Sequence, residues 1–363
     1  MQKRRLGRTN LEVSIVGFGG TWLSELDSSV AVDVVRRAFG FGINYFDTAR
    51  WDGDSEEKLG HALSGVRDKC VIATKTGSRT KMESLVDLKK SLSLLQTNYV
   101  DIIQLHGIDD ERSLNKAISS DGALQTCKKA QKEHLARFIG ITGHKPKILV
   151  KAIESGEFDA VLVPLNVVTR QAEEELLSVA KDLDVGVVAM KVFSAKTSNL
   201  VTCLYQPSLS LLSDEPELKA LLGQTNVEMV NSLLRYVLSR DVASAVVGLR
   251  SLVEVEISAK AGVAFDGLTG SEPWLFDFDL GDCFCRDCGA CMPCPENVNV
   301  PAVLRFGSFY SVFGLKNWAR KLYEGLDVKF DKCSNCGLCE SRCPFDLSVV
   351  RMLREAHKCL SVF

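Results

Sequence analysis

Through the first 265 residues, short runs of β-branched and aliphatic residues alternate with stretches whose apolar positions recur every three or four residues. The short runs predict eight strands: Ile15–Gly19, Asn44–Thr48, Val71–Lys75, Val100–Leu105, Arg137–Thr142, Ala160–Leu165, Gly186–Lys191 and Ala243–Val247. The periodic stretches predict helices at Ser29–Phe39, Ser55–Leu63, Ser84–Leu95, Leu124–His134, Pro146–Glu154, Glu173–Asp182, Val227–Ser239 and Leu252–Ala264. Ser28 or Ser29, Ser55 and Asn226 stand where N-caps belong. The strands are apolar on both faces, as parallel strands covered by helices must be. Eight strand–helix pairs in about 250 residues is the arithmetic of an α/β (β/α)8 TIM barrel. A doubly wound sheet is the other solution. It is weakened because Gly17-Phe18-Gly19-Gly20 does not extend into a dinucleotide-binding glycine fingerprint.

After residue 265 the alternation stops. Residues 266–282 read as a Gly- and acid-containing linker, and residues 283–363 as a small α-helical ferredoxin-like domain with helices at Ala302–Phe313 and Lys316–Glu324. Inside the barrel, Lys196–Gln224 is a long interruption of the seventh unit. The formal charge is −2 over 363 residues, so no strong field points to nucleic acid or an anionic membrane. The basic N-terminus has no apolar core of a signal peptide, and no run approaches a membrane span. A cytoplasmic protein is expected.

The cysteines change the picture most. Eight of the 13 fall in two runs, Cys285-x-x-Cys288-x-x-Cys291-x-x-Cys294-Pro295 and Cys333-x-x-Cys336-x-x-Cys339-x-x-x-Cys343-Pro344. A Cys at every third position supplies three thiolates to one cubane, and a fourth before Pro swings to a second cluster. The second run has that spacing in full; the first is one residue shorter before its last Cys. Two 4Fe–4S clusters are expected, with Cys294 and Cys343 as crossed ligands. Structural zinc needs only pairs of C-x-x-C knuckles. Cys70, Cys127 and Cys203 read as core residues; the roles of Cys283 and Cys359 are open.

Three polar residues end consecutive strands: Asp47, Lys75 and His106. In a barrel they converge on one mouth. A carboxylate beside an ammonium and an imidazole able to polarise a carbonyl oxygen make a proton-handling set. His144 and Lys191 also sit at strand ends, and Arg50 and Trp51 follow Asp47 closely as a possible anion clamp and substrate wall.

Several segments together resemble the aldo-keto reductases. They are Arg5-Leu6-Gly7-Arg8-Thr9 running into Val16–Gly20, Phe46-Asp47-Thr48-Ala49, Ser55-Glu56, Thr74-Lys75, Tyr99-Val100-Asp101 through His106, and Val247-Gly248-Leu249-Arg250-Ser251. With the tail, the chain resembles the subgroup carrying a C-terminal ferredoxin-like domain. The resemblance implies a (β/α)8 barrel and NADPH-dependent carbonyl reduction with a catalytic Asp, Tyr, Lys and His. Asp47, Lys75 and His106 match, but the Tyr position is Asp52. The nicotinamide anchors fall on Thr142-Gly143 and near Leu162, with Asn166 just beyond, while Gly248, Arg250 and Ser251 are the phosphate end. NADP(H) is therefore a doubtful cofactor, and Asp52, His144 or Lys191 must supply the proton. The expected function is an iron–sulfur oxidoreductase acting on a small carbonyl or hydroxy compound, fed by a redox partner protein. The alternatives are an NADPH reductase with structural clusters, a non-catalytic electron-transfer subunit, and a lyase or dehydratase using the same groups.

Overall fold

The computed structural model describes residues 1–167, 169–193, 230–265, 285, 288–311 and 315–361. The interruption at 196–224, the linker, Asn226, Cys203 and Cys283 lie outside them. The chain forms two compact units, residues 1–192 with the described part of 227–276, and a second that contains the described residues from 285 onward.

The first unit opens with a hairpin of β1 (Lys3–Arg5) and β2 (Glu12–Ser14), antiparallel with Lys3 opposite Ser14. Eight parallel strands follow: β3 (Val16–Gly19), β4 (Tyr45–Asp47), β5 (Val71–Thr76), β6 (Val100–Leu105), β7 (Ala136–Thr142), β8 (Ala160–Pro164), β9 (Gly186–Met190) and β10 (Ser244–Gly248). They pair in sequence order, and β10 closes on β3 to complete a barrel. Every residue of β5 and β6 is buried, because the barrel interior takes one face and the helices the other. All eight expected strands are present with ends shifted by at most about one residue.

The hairpin sets which end of the barrel can hold a site. Leu6, Leu11 and Val13 enter the barrel core beside Tyr45, Ile102 and Val188. Gly7, at φ +47°, lies so close to the start of β9 that a Cβ would meet the Gly186 amide nitrogen at 2.3 Å. Arg5 pairs with Asp184 at 2.7 Å and Arg8 with Asp159 at 3.1 Å, at the approaches to β9 and β8. The hairpin thus plugs the end where strands begin. The open mouth is the end where they finish, the usual seat of barrel chemistry.

The sequence reading missed this hairpin and the helix Glu111–Ile118, whose cap is Asp110 accepting from the Ser113 amide at 2.8 Å. The expected helix Glu173–Asp182 is broken into Gln171–Glu174 and Leu176–Asp182. Ser55 is not a cap. Its hydroxyl donates to the Gly20 carbonyl and meets the Thr48 hydroxyl, both at 2.8 Å, tying the ends of β3 and β4 together.

The second unit is built on helices Val300–Ser311, Lys316–Glu324 and Val349–Leu360. Their apolar faces meet in a core of Val303, Phe309, Trp318, Tyr323, Leu353 and Leu360. The Phe309 and Trp318 rings stack at 4.7 Å. No helix among the described residues is long and apolar enough to cross a membrane.

Candidate functional site

Asp47 is the last residue of β4, and Lys75 lies near the end of β5. The Lys75 ammonium donates to Asp47 Oδ1 and, at 2.8 Å, to the Thr48 carbonyl. Gln104, two residues before His106 and therefore on the same strand face, donates to Asp47 Oδ2 at 2.9 Å. Asp47 and Lys75 are each 6% exposed, so the pair holds its geometry in a medium of low polarity.

His106 follows β6 directly. Burial, then the charges of Lys75, His144 and Arg79, push its pKa from 6.5 down to about 3, with Asp109 pulling the other way. The ring is neutral at pH 7. Its Nδ1 is buried without a hydrogen-bond partner. Trp51 lies against the ring at 5.4 Å between centroids. Gly77 makes room for Trp51: a Cβ there would sit 1.8 Å from the indole.

The shift of His106 has a consequence for stability. The unfolded chain binds a proton at about 6.5 and the folded chain not until about 3, so stability is whole above the first value and falls toward the second. Urea midpoints measured from about pH 7 to about pH 4 should decline, and His106→Gln should flatten that decline. An unchanged slope in the variant would contradict it.

Asp52 is half-buried and accepts from the Thr21 hydroxyl at 3.2 Å. Burial and the Asp47 charge push its pKa up; Lys75 and Thr21 oppose them without cancelling the rise. The loop is therefore not simply exposed: Trp51 is 65% exposed, but Asp52 faces the charged pair. Arg50 is no free anion clamp. It pairs with Glu56, which is wholly buried and also accepts from Thr74 at 2.6 Å. Glu56→Ala would strand Arg50 and Thr74 and should cost about 3 kcal/mol in denaturant unfolding. A loss below about 1 kcal/mol would deny the bridge its role.

His144 follows β7, and its Nδ1 lies 3.0 Å from Asp109 Oδ2. Asp109 also accepts from the His144 amide. Burial pushes Asp109 up, but its bonds to His144 outweigh this and hold it below the usual carboxylate value. His106 and His144 follow the adjacent parallel strands β6 and β7, so the two residues stand at the same end of the barrel. Lys191 follows β9 in left-handed conformation, φ 55°, and its carbonyl accepts from Asn166 Nδ2 at 2.8 Å. Asn166 Oδ1 meanwhile accepts from the Thr169 amide, also at 2.8 Å, so this candidate anchor ties the ends of β8 and β9 together. Thr142 is similarly engaged, accepting from the Gly107 amide at 3.0 Å, and Leu162 lies in the barrel core. Sequence reasoning missed Gln104, Glu56 and Asp109. Gln104 had a signal: it is a polar side chain inside an apolar strand, in step with His106.

In the second unit, both cysteine runs turn at the glycine after their second Cys, Gly289 at φ +75° and Gly337 at φ +73°. The two loops thus share a left-handed turn that favours glycine. One cavity is lined by Cys333, Cys336 and Cys339 together with Cys291 and Cys294 of the first run. Burial, then the neighbouring Cys285 and Cys288 thiols, push Cys291 up to about 12. Cys343 is 9% exposed and packs in the core against which Cys285 and Cys291 lie. Among the described residues, no three His, Cys, Asp or Glu side chains converge as a single ion requires. The sulfurs instead surround a cavity, and a donor set of thiolates alone suits iron–sulfur clusters.

The closed parallel barrel brings a buried Asp–Lys pair and His106 to its mouth, and comparison with known proteins identifies its family. The chain belongs to the aldo/keto reductase family, whose model matches residues 15–266. A 4Fe-4S dicluster domain matches residues 284–347. The chain is 31% identical over 297 residues to the L-galactose dehydrogenase of Arabidopsis thaliana, covering 74% of this chain and 90% of that one. It is 30% identical over 203 residues to the uncharacterized oxidoreductase YqkF of Bacillus subtilis, covering 52% of this chain and 64% of that one. Among solved structures, the holo form of an aldo-keto reductase from Bacillus halodurans is similar with a TM-score of 0.59 and 26% identity, covering 74% and 93% of the two chains.

Proposed function

We propose that the barrel mouth interconverts a small carbonyl compound and its alcohol, with electrons entering or leaving through two 4Fe–4S clusters. The supporting observation is a pairing within one chain. A dicluster domain accompanies a barrel that keeps the Asp47–Lys75 pair and a neutral His106 but carries Asp52 in place of the family's phenol. When bound, the clusters supply electrons singly, and reducing one carbonyl takes two electrons and two protons. Cys285, Cys288, Cys291 and Cys343 would hold one cluster; Cys333, Cys336, Cys339 and Cys294 the other.

The barrel residues then divide the remaining work. His106, uncharged, donates a hydrogen bond to the substrate oxygen. Lys75, fixed by Asp47 and the Thr48 carbonyl, stabilises negative charge developing on that oxygen. His144, oriented by Asp109, is the proton donor. Trp51 offers an apolar ring to the carbon skeleton of the substrate. The likeness to a sugar dehydrogenase favours a polyhydroxy compound, with the alcohol-to-carbonyl direction equally open to the same groups.

The test is an anaerobic assay of small aldehydes and hydroxyketones with reduced methyl viologen, a one-electron donor, set against NADPH. The proposal expects turnover driven by the viologen. Turnover supported by NADPH at a typical enzyme rate and absent with the viologen would overturn it.

A further inference from the structure

The loop that follows β5 grips His106 at three points. The Thr76 carbonyl accepts from the His106 amide at 2.9 Å. Gly77 seats the Trp51 indole, which lies against the His106 ring. Arg79 takes the other end of the residue. Its Nη2 donates to the His106 carbonyl at 2.8 Å and to the Gly107 carbonyl at 2.9 Å, while its Nη1 donates to the Gly77 carbonyl at 2.7 Å. These carbonyls lie past the strand ends, where the ladder no longer supplies partners, and one guanidinium serves both loops.

The loop is a firm base for this grip. Asp87, on the helix Lys81–Leu94, accepts from the Thr76 hydroxyl at 2.5 Å and from the Ser78 hydroxyl at 2.8 Å. The Arg79 carbonyl accepts from the Ala123 amide at 3.1 Å, and Thr80 pairs with Gly122. Arg79 is thus anchored through its backbone to the start of the helix Ala123–Lys132, and its side chain reaches across to the end of β6. It is half-buried, and three of a guanidinium's five N–H donors are spent on carbonyls. That commitment suits a strut between two loops better than a clamp for an anionic substrate.

We propose that Arg79 is a positioning residue, which fixes the His106 backbone so that the imidazole stands at the barrel mouth in one orientation against Trp51. The proposal rests, for its purpose, on the reading of His106 as the group that meets the substrate oxygen. Its geometry has a consequence that needs no turnover. Burial is the first cause that keeps the His106 ring neutral; the charges of Lys75, His144 and Arg79 add to it, and Asp109 opposes them. Loosening the seat admits water, so the ring should move back toward its ordinary value of 6.5.

NMR of the anaerobic, cluster-loaded full chain carrying isotope-labelled histidine reads this directly. The chain has five His, and the His106 signal is the one missing from His106→Gln. In the unmodified chain that signal should stay constant between about pH 8 and about pH 5, and in Arg79→Met it should titrate within the window. Arg79→Lys keeps the charge but loses the fork, so its signal should titrate there too, and it serves if Arg79→Met does not fold. With a substrate found by viologen-driven turnover, Arg79→Met should lower kcat by about 10²-fold and leave KM within about twofold. A His106 signal that stays constant in the folded variants would overturn the proposal. So would a raised KM at unchanged kcat, which would make Arg79 a substrate anchor. Absence of viologen-driven turnover in the unmodified chain would overturn the proposed function, and the NMR comparison would still decide the role of Arg79.

Discussion

Cys294→Ala should remove the cluster of the second cysteine run, not of its own. The cavity bounded by Cys333, Cys336 and Cys339 takes Cys294 and Cys291 of the other loop into its lining, and the bacterial ferredoxin spacing makes the Cys before Pro, Cys294, the expected fourth ligand. Cys343 is buried in the core against which Cys285, Cys291, Cys294 and Cys339 all pack. The consequence is a distinctive non-additivity. Iron should fall from about eight to about four atoms per chain in Cys294→Ala. Adding Cys336→Ala should remove no more, because both changes strike the same cluster. Adding Cys288→Ala instead should take iron toward zero. Anaerobic iron and sulfide assays on the single and double variants decide it. Runs that each bind their own cluster would give the opposite pairing, and stoichiometric zinc in place of iron would end the cluster reading.

Lys75→Met should lower turnover by about 10³-fold or more, with iron content unchanged. The ammonium is held by Asp47 and the Thr48 carbonyl in a site only 6% exposed at both ion-pair partners. Its electrostatic effect on a developing alkoxide is correspondingly large. Removing it also leaves Asp47 buried with Gln104 as its remaining partner, which should cost about 3–5 kcal/mol of stability. The double change Asp47→Asn with Lys75→Met removes the stranded charge. It should recover much of that stability and none of the activity, so the two effects can be told apart by pairing unfolding curves with rates. Substantial activity in the well-folded double variant would remove Lys75 from the chemistry.

Much of this architecture was readable from the chain because it rests on short-range pattern. Val100–Leu105 is continuous, apolar and bounded by polar residues, and the strand occupies those six positions. The hairpin was hidden because Lys3–Arg5 is wholly polar or charged; its strand conformation follows from Leu6 and Val13 reaching into the barrel, a long-range effect. The helix Glu111–Ile118 is only eight residues long and buries Leu114 and Ala117, and the sequence reading placed no element there. At the site, Asp47, Lys75 and His106 were legible because each ends a strand. The residues that fix or tune them were not. Asp109 meets His144 across 35 positions of sequence, and Glu56 read as part of a helix start before its burial between Arg50 and Thr74 was seen. Ser55 misled for a related reason: a hydroxyl at a helix start suggests a cap, but tertiary partners at Gly20 and Thr48 took it.

The central claim is that cluster electrons reach a carbonyl carbon at the barrel mouth. Single-turnover stopped-flow tests it most directly. The protein is reduced anaerobically, freed of reductant, and mixed with a panel of small aldehydes and hydroxyketones while the visible cluster absorbance is followed. The account predicts saturable recovery of the oxidised spectrum with at least one compound, formation of the matching alcohol, and no recovery in Lys75→Met. Clusters that stay reduced against the whole panel, in a protein that reduces the same compounds with a nicotinamide nucleotide, would contradict it.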